Sequence, residues 1–310
     1  MYLSAIIESM SDNSAKENIT NLKLIIPELD GNLDLVLLQN YPDIEDLNKV
    51  ELDQLNIHQH TEYYSELVNI ASRIACEFSV YLSPGVLLDT EGDNIYLSSV
   101  LLNPEGEVIL KQKQLFICSS LRFTRNILKA GKNINYAETD LGKIGLMLGS
   151  DCWHPEVGRV MALENVDLVI AVNSLSNFCA NLSNERLFND IRGNPWQQLA
   201  GVWSQVQQNQ FFALEASVDG QNLIHAPCEI TQYRTGILAP VGTEKSAKLK
   251  SIEPYFEDIS EIYREINGFR VITAEIDLYR LQDIRKAYPL MKYLNKPLYC
   301  KEMGGGDYAG

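Results

Sequence analysis

Gly142-Lys143-Ile144-Gly145-Leu146-Met147-Leu148-Gly149-Ser150-Asp151-Cys152-Trp153-His154-Pro155-Glu156 reads as a hydrophobic strand that runs into a tight Gly-Ser-Asp turn and then into a helix with Pro155 in its first turn. A strand–turn–helix unit of this kind lifts one side chain above a sheet edge, beside the free N–H groups of the helix. Many hydrolytic enzymes present a nucleophile in this way. The tip of this turn is Gly149, which carries no side chain. The scaffold reads as that of an enzyme, and the group that would react is missing from its centre.

Outward from the turn, helices alternate with apolar strands. Upstream, residues 3–8 form a strand candidate, and residues 16–29 carry Ile19, Leu22, Ile25, Ile26 and Leu29 at helical spacing. Residues 33–38 are nearly continuously apolar, as in a strand covered on both faces. Residues 62–78 place Leu67, Ile70, Ala71 and Ile74 on one helical face. Three strands follow at 80–88, 95–102 and 108–116, the last two joined by the turn Asn103-Pro104-Glu105-Gly106 as a hairpin. Downstream come a helix at 156–164, a strand at 166–172, a helix at 196–208, strands at 211–216 and 271–276, and a helix at 278–287. The polar region 242–267 reads as a loop with a short helix. Because hairpins interrupt the alternation, the class is α/β with mixed rather than wholly parallel sheets. No internal repeat or linker divides the chain, so residues 1–299 are read as one domain. Residues 300–310, with Gly304-Gly305-Gly306, are read as a flexible tail.

A chain of 310 residues with 45% hydrophobic content can bury a large core. A formal net charge of −15 argues against nucleic acid or anionic lipid as a partner, because phosphate binding needs a basic footprint. No apolar run approaches the roughly 18 residues of a membrane span, and no basic leader precedes the first strand. Cys76, Cys118, Cys152, Cys179, Cys228 and Cys300 are widely spaced, which fits reduced thiols and a cytoplasmic location.

Four segments in order resemble the nitrilase, or carbon–nitrogen hydrolase, superfamily, over essentially the whole chain. They are Asp34-Leu35-Val36-Leu37-Leu38; residues 142–156 with Arg159; residues 206–212 around Asn209; and Ile276-Asp277-Leu278 through Asp283, Arg285, Pro289 and Lys296-Pro297-Leu298-Tyr299. The resemblance implies a four-layer α-β-β-α sandwich, usually assembled into dimers or larger oligomers. It also implies a Glu–Lys–Cys triad. The thiolate attacks an amide or nitrile carbon to give a thioester, the Glu moves protons, and the Lys stabilises the oxyanion.

Carried over residue by residue, that triad falls on the wrong side chains. The Glu position falls on Asn40, after Gln39; the Cys position falls on Gly149. The Lys position falls on Gln112 or, shifted by one, on Lys113. Gln208 stands where the family pattern carries an acidic residue, and Cys118-Ser119-Ser120 where another would follow the lysine. Without a nucleophile the acyl-enzyme route is closed. The expected function is therefore a nitrilase-fold pseudoenzyme with a binding, scaffold or regulatory role, as a homo-oligomer or paired with a homologue, on a small-molecule ligand or another protein. The alternative is a repurposed enzyme acting on an amide, nitrile or other small nitrogen compound, through Lys113 with Cys152 or through a bound metal.

The candidate pocket is Asn40, Lys113, Gly149, Ser150, Asp151, Cys152, His154 and Gln208. Cys152 is the nearest thiol to the turn, where a helix N-terminus would lower its pKa; the plain reading is a small buried residue. Ser150 has no evident His to activate it. Cys152-x-His154 with His225-x-x-Cys228 would make a zinc set, but such pairs arise by chance, and neither metal nor cofactor is expected. Asp151 is expected to cap the following helix, and Glu156 and Arg159 to pair at i, i+3. Trp153, Trp196 and Trp203 are expected in core or interface. Bulky side chains filling the space at Gly149 would close the site and move the role to the surface.

Overall fold

Parallel pairing of the first strands starts the fold. In the computed structural model, which describes residues 2–10, 13–29, 33–42, 57–117, 128–173, 201–217, 223–225 and 263–294, β1 (Tyr2–Ser9) lies parallel to β2 (Leu35–Gln39), Ser4 opposite Leu35. The crossover between them contains α1 (Ala15–Ile25), opened by a capping box in which the Ser14 and Glu17 side chains satisfy each other's backbone N–H groups. A second crossover through α2 (Ile57–Phe78) brings β3 (Tyr81–Ser83) parallel to β2.

From there the sheet turns antiparallel through β4 (Leu87–Glu91), β5 (Asn94–Leu102) and β6 (Val108–Lys113). The expected single strand 80–88 is two. Gly85 breaks it at φ +83°, and a β-carbon there would lie 2.5 Å from the Asn40 carbonyl oxygen. The expected hairpin between β5 and β6 is present, with Gly106 at φ +81°.

At the other edge, β12 (Tyr263–Ile266) and β13 (Phe269–Ile276) add to β1. Residues 263–266 are thus a strand, not the loop expected. The hairpin turn Asn267-Gly268 takes positive φ at both residues, the pairing that suits the strands' twist.

Among the described residues the second sheet has five strands, which lie side by side in chain order. It consists of β7 (Tyr136–Thr139), β8 (Gly142–Leu148), β9 (Leu168–Asn173), β10 (Phe212–Ser217) and β11 (Leu223–His225). The central three are parallel and the outer two antiparallel. α3 (Pro155–Leu163) joins β8 to β9, and α4 (Val202–Asn209) precedes β10. Residues 196–200, where that helix was expected to begin, lie outside the described residues, as do 174–193, 242–262 and the tail with Lys296-Pro297-Leu298-Tyr299.

Strand parity sorts the apolar side chains into three clusters, one between each pair of layers. Ile6, Leu35 and Leu37 of the first sheet meet Ile144, Leu146, Leu148 and Ile170 of the second. Ala5, Ile7, Val36 and Leu38 face α1 and α2. Met147, Val169, Ala171 and Ala213 face α3 and α4. The result is the four-layer α-β-β-α sandwich with mixed sheets. α5 (Leu278–Ala287), capped by Asp277, is tied to the second sheet by Arg285, which bonds Asp167 Oδ1 at 2.6 Å, the Val166 carbonyl at 2.7 Å and the Gln210 carbonyl at 3.0 Å.

Candidate functional site

β8 delivers the chain into a 3₁₀ turn, Gly149–Trp153, before α3 begins. Gly149 has φ +54°, a left-handed conformation that glycine adopts without strain. A β-carbon built on it would lie 2.6 Å from Tyr41 Oη and 2.9 and 3.0 Å from the Gln114 carboxamide. The space above the turn is therefore filled. Tyr41, just past β2, donates its hydroxyl to Gln114 Oε1 at 3.2 Å. Gln114 Nε2 donates to Ser150 Oγ at 2.9 Å and to the Phe116 carbonyl at 2.8 Å. The Ser150 hydroxyl donates to the same carbonyl. One hydrogen-bonded plug thus joins the end of β2, the end of β6 and the turn after β8.

Asp151 does not cap α3. The five-residue 3₁₀ turn leaves it too far from the helix, and His154 takes the cap position without a side-chain bond. The Asp151 carboxylate instead reaches across to the segment just past β6 of the first sheet, accepting from Leu115 N at 3.0 and 3.1 Å and Phe116 N at 2.8 Å. It is fully buried. Burial raises its pKa to about 7, against the peptide N–H groups of Phe116, Leu115 and Leu148, which pull it down.

Cys152 is fully buried among Met147, Val157 and Met161. Burial first, then the negative charges of Glu215 and Asp151, push its thiol well above the ordinary value. The reactive-thiolate reading is therefore corrected: desolvation outweighs any help from a helix end.

Lys113 is not at the turn either. Along β6, Leu110, Gln112 and Gln114 are buried, while Lys111 and Lys113 point the other way. Lys113 pairs with Glu91 and lies 3.7 Å over the Tyr96 ring. Cys152 lies beneath α3, so a Lys113–Cys152 pair does not form. Gln112 points inward but is used up locally. Its Nε2 donates to the carbonyls of Lys113 (2.7 Å) and Asn133 (2.9 Å), and its Oε1 accepts from Asn135 N at 2.8 Å. Asn40 is buried and donates to the Val86 carbonyl at 3.1 Å.

Three further expectations change. Gln208 is exposed on α4, whereas Gln205 and Gln207 are buried, and Gln205 is in phase with Val202, Val206 and Asn209. Its carboxamide accepts from Gly158 N at 2.9 Å and donates to the Cys152 carbonyl at 2.6 Å. The Glu156–Arg159 pair is not formed; Arg159 Nη1 points instead to Met291 Sδ at 3.3 Å, and Glu156 is exposed. The zinc set has no shared centre on its first arm, because Cys152 sits in the apolar core while His154 stacks on Phe116 with ring centroids 3.7 Å apart. Cys228 and the His225 side chain lie outside the described residues, as do Trp196 and Cys118-Ser119-Ser120. Among the described residues no group of three or more His, Cys, Asp or Glu side chains could hold a metal ion. Trp153 donates to Asn173 Oδ1 at 3.4 Å, and Trp203 is half-buried.

Tyr41 and Gln114, the residues that fill the space, were absent from the sequence-based pocket. Gln114 was within reach, since it shares parity with Gln112. Tyr41 had no signal beyond its place next to Asn40.

Residues 50–286 match the family model for carbon–nitrogen hydrolases. The chain belongs to the carbon–nitrogen hydrolase family. Among curated relatives, the omega-amidase NIT2 of Danio rerio is 22% identical over 240 residues, covering 76% of this chain and 74% of that protein. Solved family folds superpose along nearly the full length. The carbon–nitrogen hydrolase of Helicobacter pylori G27 gives a TM-score of 0.67 at 16% identity, covering 98% of both chains. Nit3 of Saccharomyces cerevisiae, a member of the nitrilase superfamily, gives 0.61 at 17%, covering 94% of this chain and 96% of its own. At such identities the likeness speaks for the fold, not the chemistry.

Proposed function

We propose that this chain is a non-hydrolytic member of the carbon–nitrogen hydrolase family, with a scaffold or regulatory role exerted through its surface, as a homo-oligomer or paired with a homologue. The observation that carries this reading is the filling of the space at Gly149 by the Tyr41 hydroxyl and the Gln114 carboxamide. Neither group attacks a carbonyl carbon or exchanges a proton near neutral pH. Acyl transfer needs a nucleophile and a base within hydrogen-bond reach of each other. The residues around the turn are bonded to one another instead. The alternative of an enzyme working through Lys113 and Cys152 loses support, because the two side chains lie in different layers. Unpaired Cys76 and Cys152 agree with a reducing, cytoplasmic location.

The test is ammonia release by the purified chain from a panel of ω-amides, simple amides and nitriles. No release above the blank is expected. Turnover on any of these that survives further purification and is lost in Ser150→Ala, Cys152→Ala or Lys113→Ala would overturn the reading. Sedimentation of the chain alone and with a family homologue separates the self-assembled role from the paired one.

A further inference from the structure

Both ends of the buried Gln114 carboxamide are matched by partners of the right kind. Its Oε1 accepts from the Tyr41 hydroxyl at 3.2 Å. Its Nε2 spends one N–H on the Phe116 carbonyl at 2.8 Å and the other on Ser150 Oγ at 2.9 Å. Ser150 is free to accept because its own proton goes to the Phe116 carbonyl. A carbonyl oxygen only accepts, so the NH2 end must face Phe116 and the oxygen end Tyr41.

Gln112 and Gln205 are also buried and bonded, but to backbone groups. Gln114 differs in two respects. Two of its partners are hydroxyls, one just past β2 and one in the turn after β8. Its carboxamide also lies flush on Gly149, with Nε2 and Oε1 at 2.9 and 3.0 Å from the point a β-carbon would occupy. The surroundings thin outward, since Tyr41 is half-buried and Phe116 is exposed at the rim.

The geometry points to a carboxamide-binding cradle above Gly149, formed by Tyr41 Oη, Ser150 Oγ and the Phe116 carbonyl, in which Gln114 is a built-in ligand. Vacated, the cradle takes a small primary amide. The inference rests on the reading of the space at the turn as filled and non-hydrolytic, and it names what the filled space is shaped to hold.

The same bonds set the selectivity. A ketone has no N–H for Phe116 and Ser150. A carboxylate would set an anionic oxygen against the Phe116 carbonyl. An N-methyl amide keeps only one of the two N–H groups, leaving a buried acceptor unpaired, and should bind about tenfold more weakly. In the native chain a free amide must displace a side chain that is already tethered in place. The tethered group loses no translational freedom on binding, so it wins.

Gln114→Ala removes the atoms of one acetamide molecule, and acetamide is therefore the probe. Urea unfolding of the full chain is followed at increasing acetamide, with the wild type under the same conditions as the reference. Relative to the wild type, the unfolding constant of Gln114→Ala should fall saturably, by about tenfold when acetamide reaches ten times its Kd. N-methylacetamide should need about tenfold more to match it. Acetone and acetate should do nothing, and adding Tyr41→Phe to Gln114→Ala should weaken the acetamide effect. Equal responses of variant and wild type, equal responses to acetamide and acetone, or no saturable response overturn the cradle. Should Gln114→Ala not fold alone, its refolding from urea is compared in acetamide and in acetone. Recovery in acetamide only supports the cradle, and recovery in both or neither overturns it. Ammonia release from acetamide by the wild type would instead overturn the non-hydrolytic reading, so the two failures are told apart.

Discussion

The Tyr41 hydroxyl stands 2.6 Å from the point that a β-carbon on Gly149 would occupy. The two residues come from neighbouring ends of different sheets, and each excludes the other's enlargement. Gly149 is thus a packing requirement of this turn.

Gly149→Ala should therefore destabilise the chain by about 2–4 kcal/mol, combining a left-handed φ with overpacking. In a Tyr41→Phe background part of that loss should return, because the clashing oxygen is gone while the backbone strain remains. Urea titrations of the four proteins of this cycle measure the coupling. Strict additivity would show that the two residues do not compete for the space.

Cys76 is exposed on α2 and Cys152 is fully buried. In the native protein iodoacetamide should label Cys76 early and leave Cys152 unmodified until denaturant is added. Raising the pH from 7 to 9 should still leave Cys152 unmodified, since burial holds its thiol neutral. Peptide mass spectrometry follows each site. Rapid native labelling of Cys152 would restore the thiol-enzyme alternative.

Gln205 joins the Gly158 N–H to the Cys152 carbonyl, both inside the α3–α4 layer. Gln205→Leu leaves both buried groups without a partner and should lower stability by about 2–3 kcal/mol. Gly158→Ala should be at least as damaging, because its β-carbon would fall 2.2 Å from Gln205 Oε1. Thermal unfolding of the two variants checks both statements, and an unchanged midpoint in either one rejects the bridge.

Arg285 makes three bonds at the base of the second sheet. Arg285→Ala should lower stability by about 2–3 kcal/mol, leaving Asp167 and two carbonyls to find water. Arg285→Lys should recover only a part, because an ammonium cannot span the three acceptors as the planar guanidinium does. Denaturant midpoints of the two variants give the ranking.

The strands and helices around residues 142–173 were legible because burial leaves its own period in the sequence. Alternating or continuous apolar runs name the strand, and i, i+4 spacing names the helix. The edge strand Tyr263–Ile266 was not, since a polar strand on one sheet edge has no apolar period and is specified only by its partner, β13. Gln208 and Gln205 show the same limit on a helix. Phase decides which glutamine faces inward, and a one-residue step between Gln207 and Gln208 reverses it.

Sequence alone determined that Gly149 and Asn40 cannot supply a nucleophile or a base, because side-chain chemistry is local to each residue. It also determined which segments are strands and which are helices, through the period of burial, whereas the four-layer order was implied only by the resemblance to the family. Only the tertiary structure decided what occupies the space above the turn. Tyr41, Gln114 and Asp151 are separated by up to 110 residues and meet only when β2, β6 and β8 are stacked in register. Strand parity then sent Lys113 outward and Gln114 inward, a choice that a one-residue shift in any alignment leaves open and that packing against the facing sheet settles.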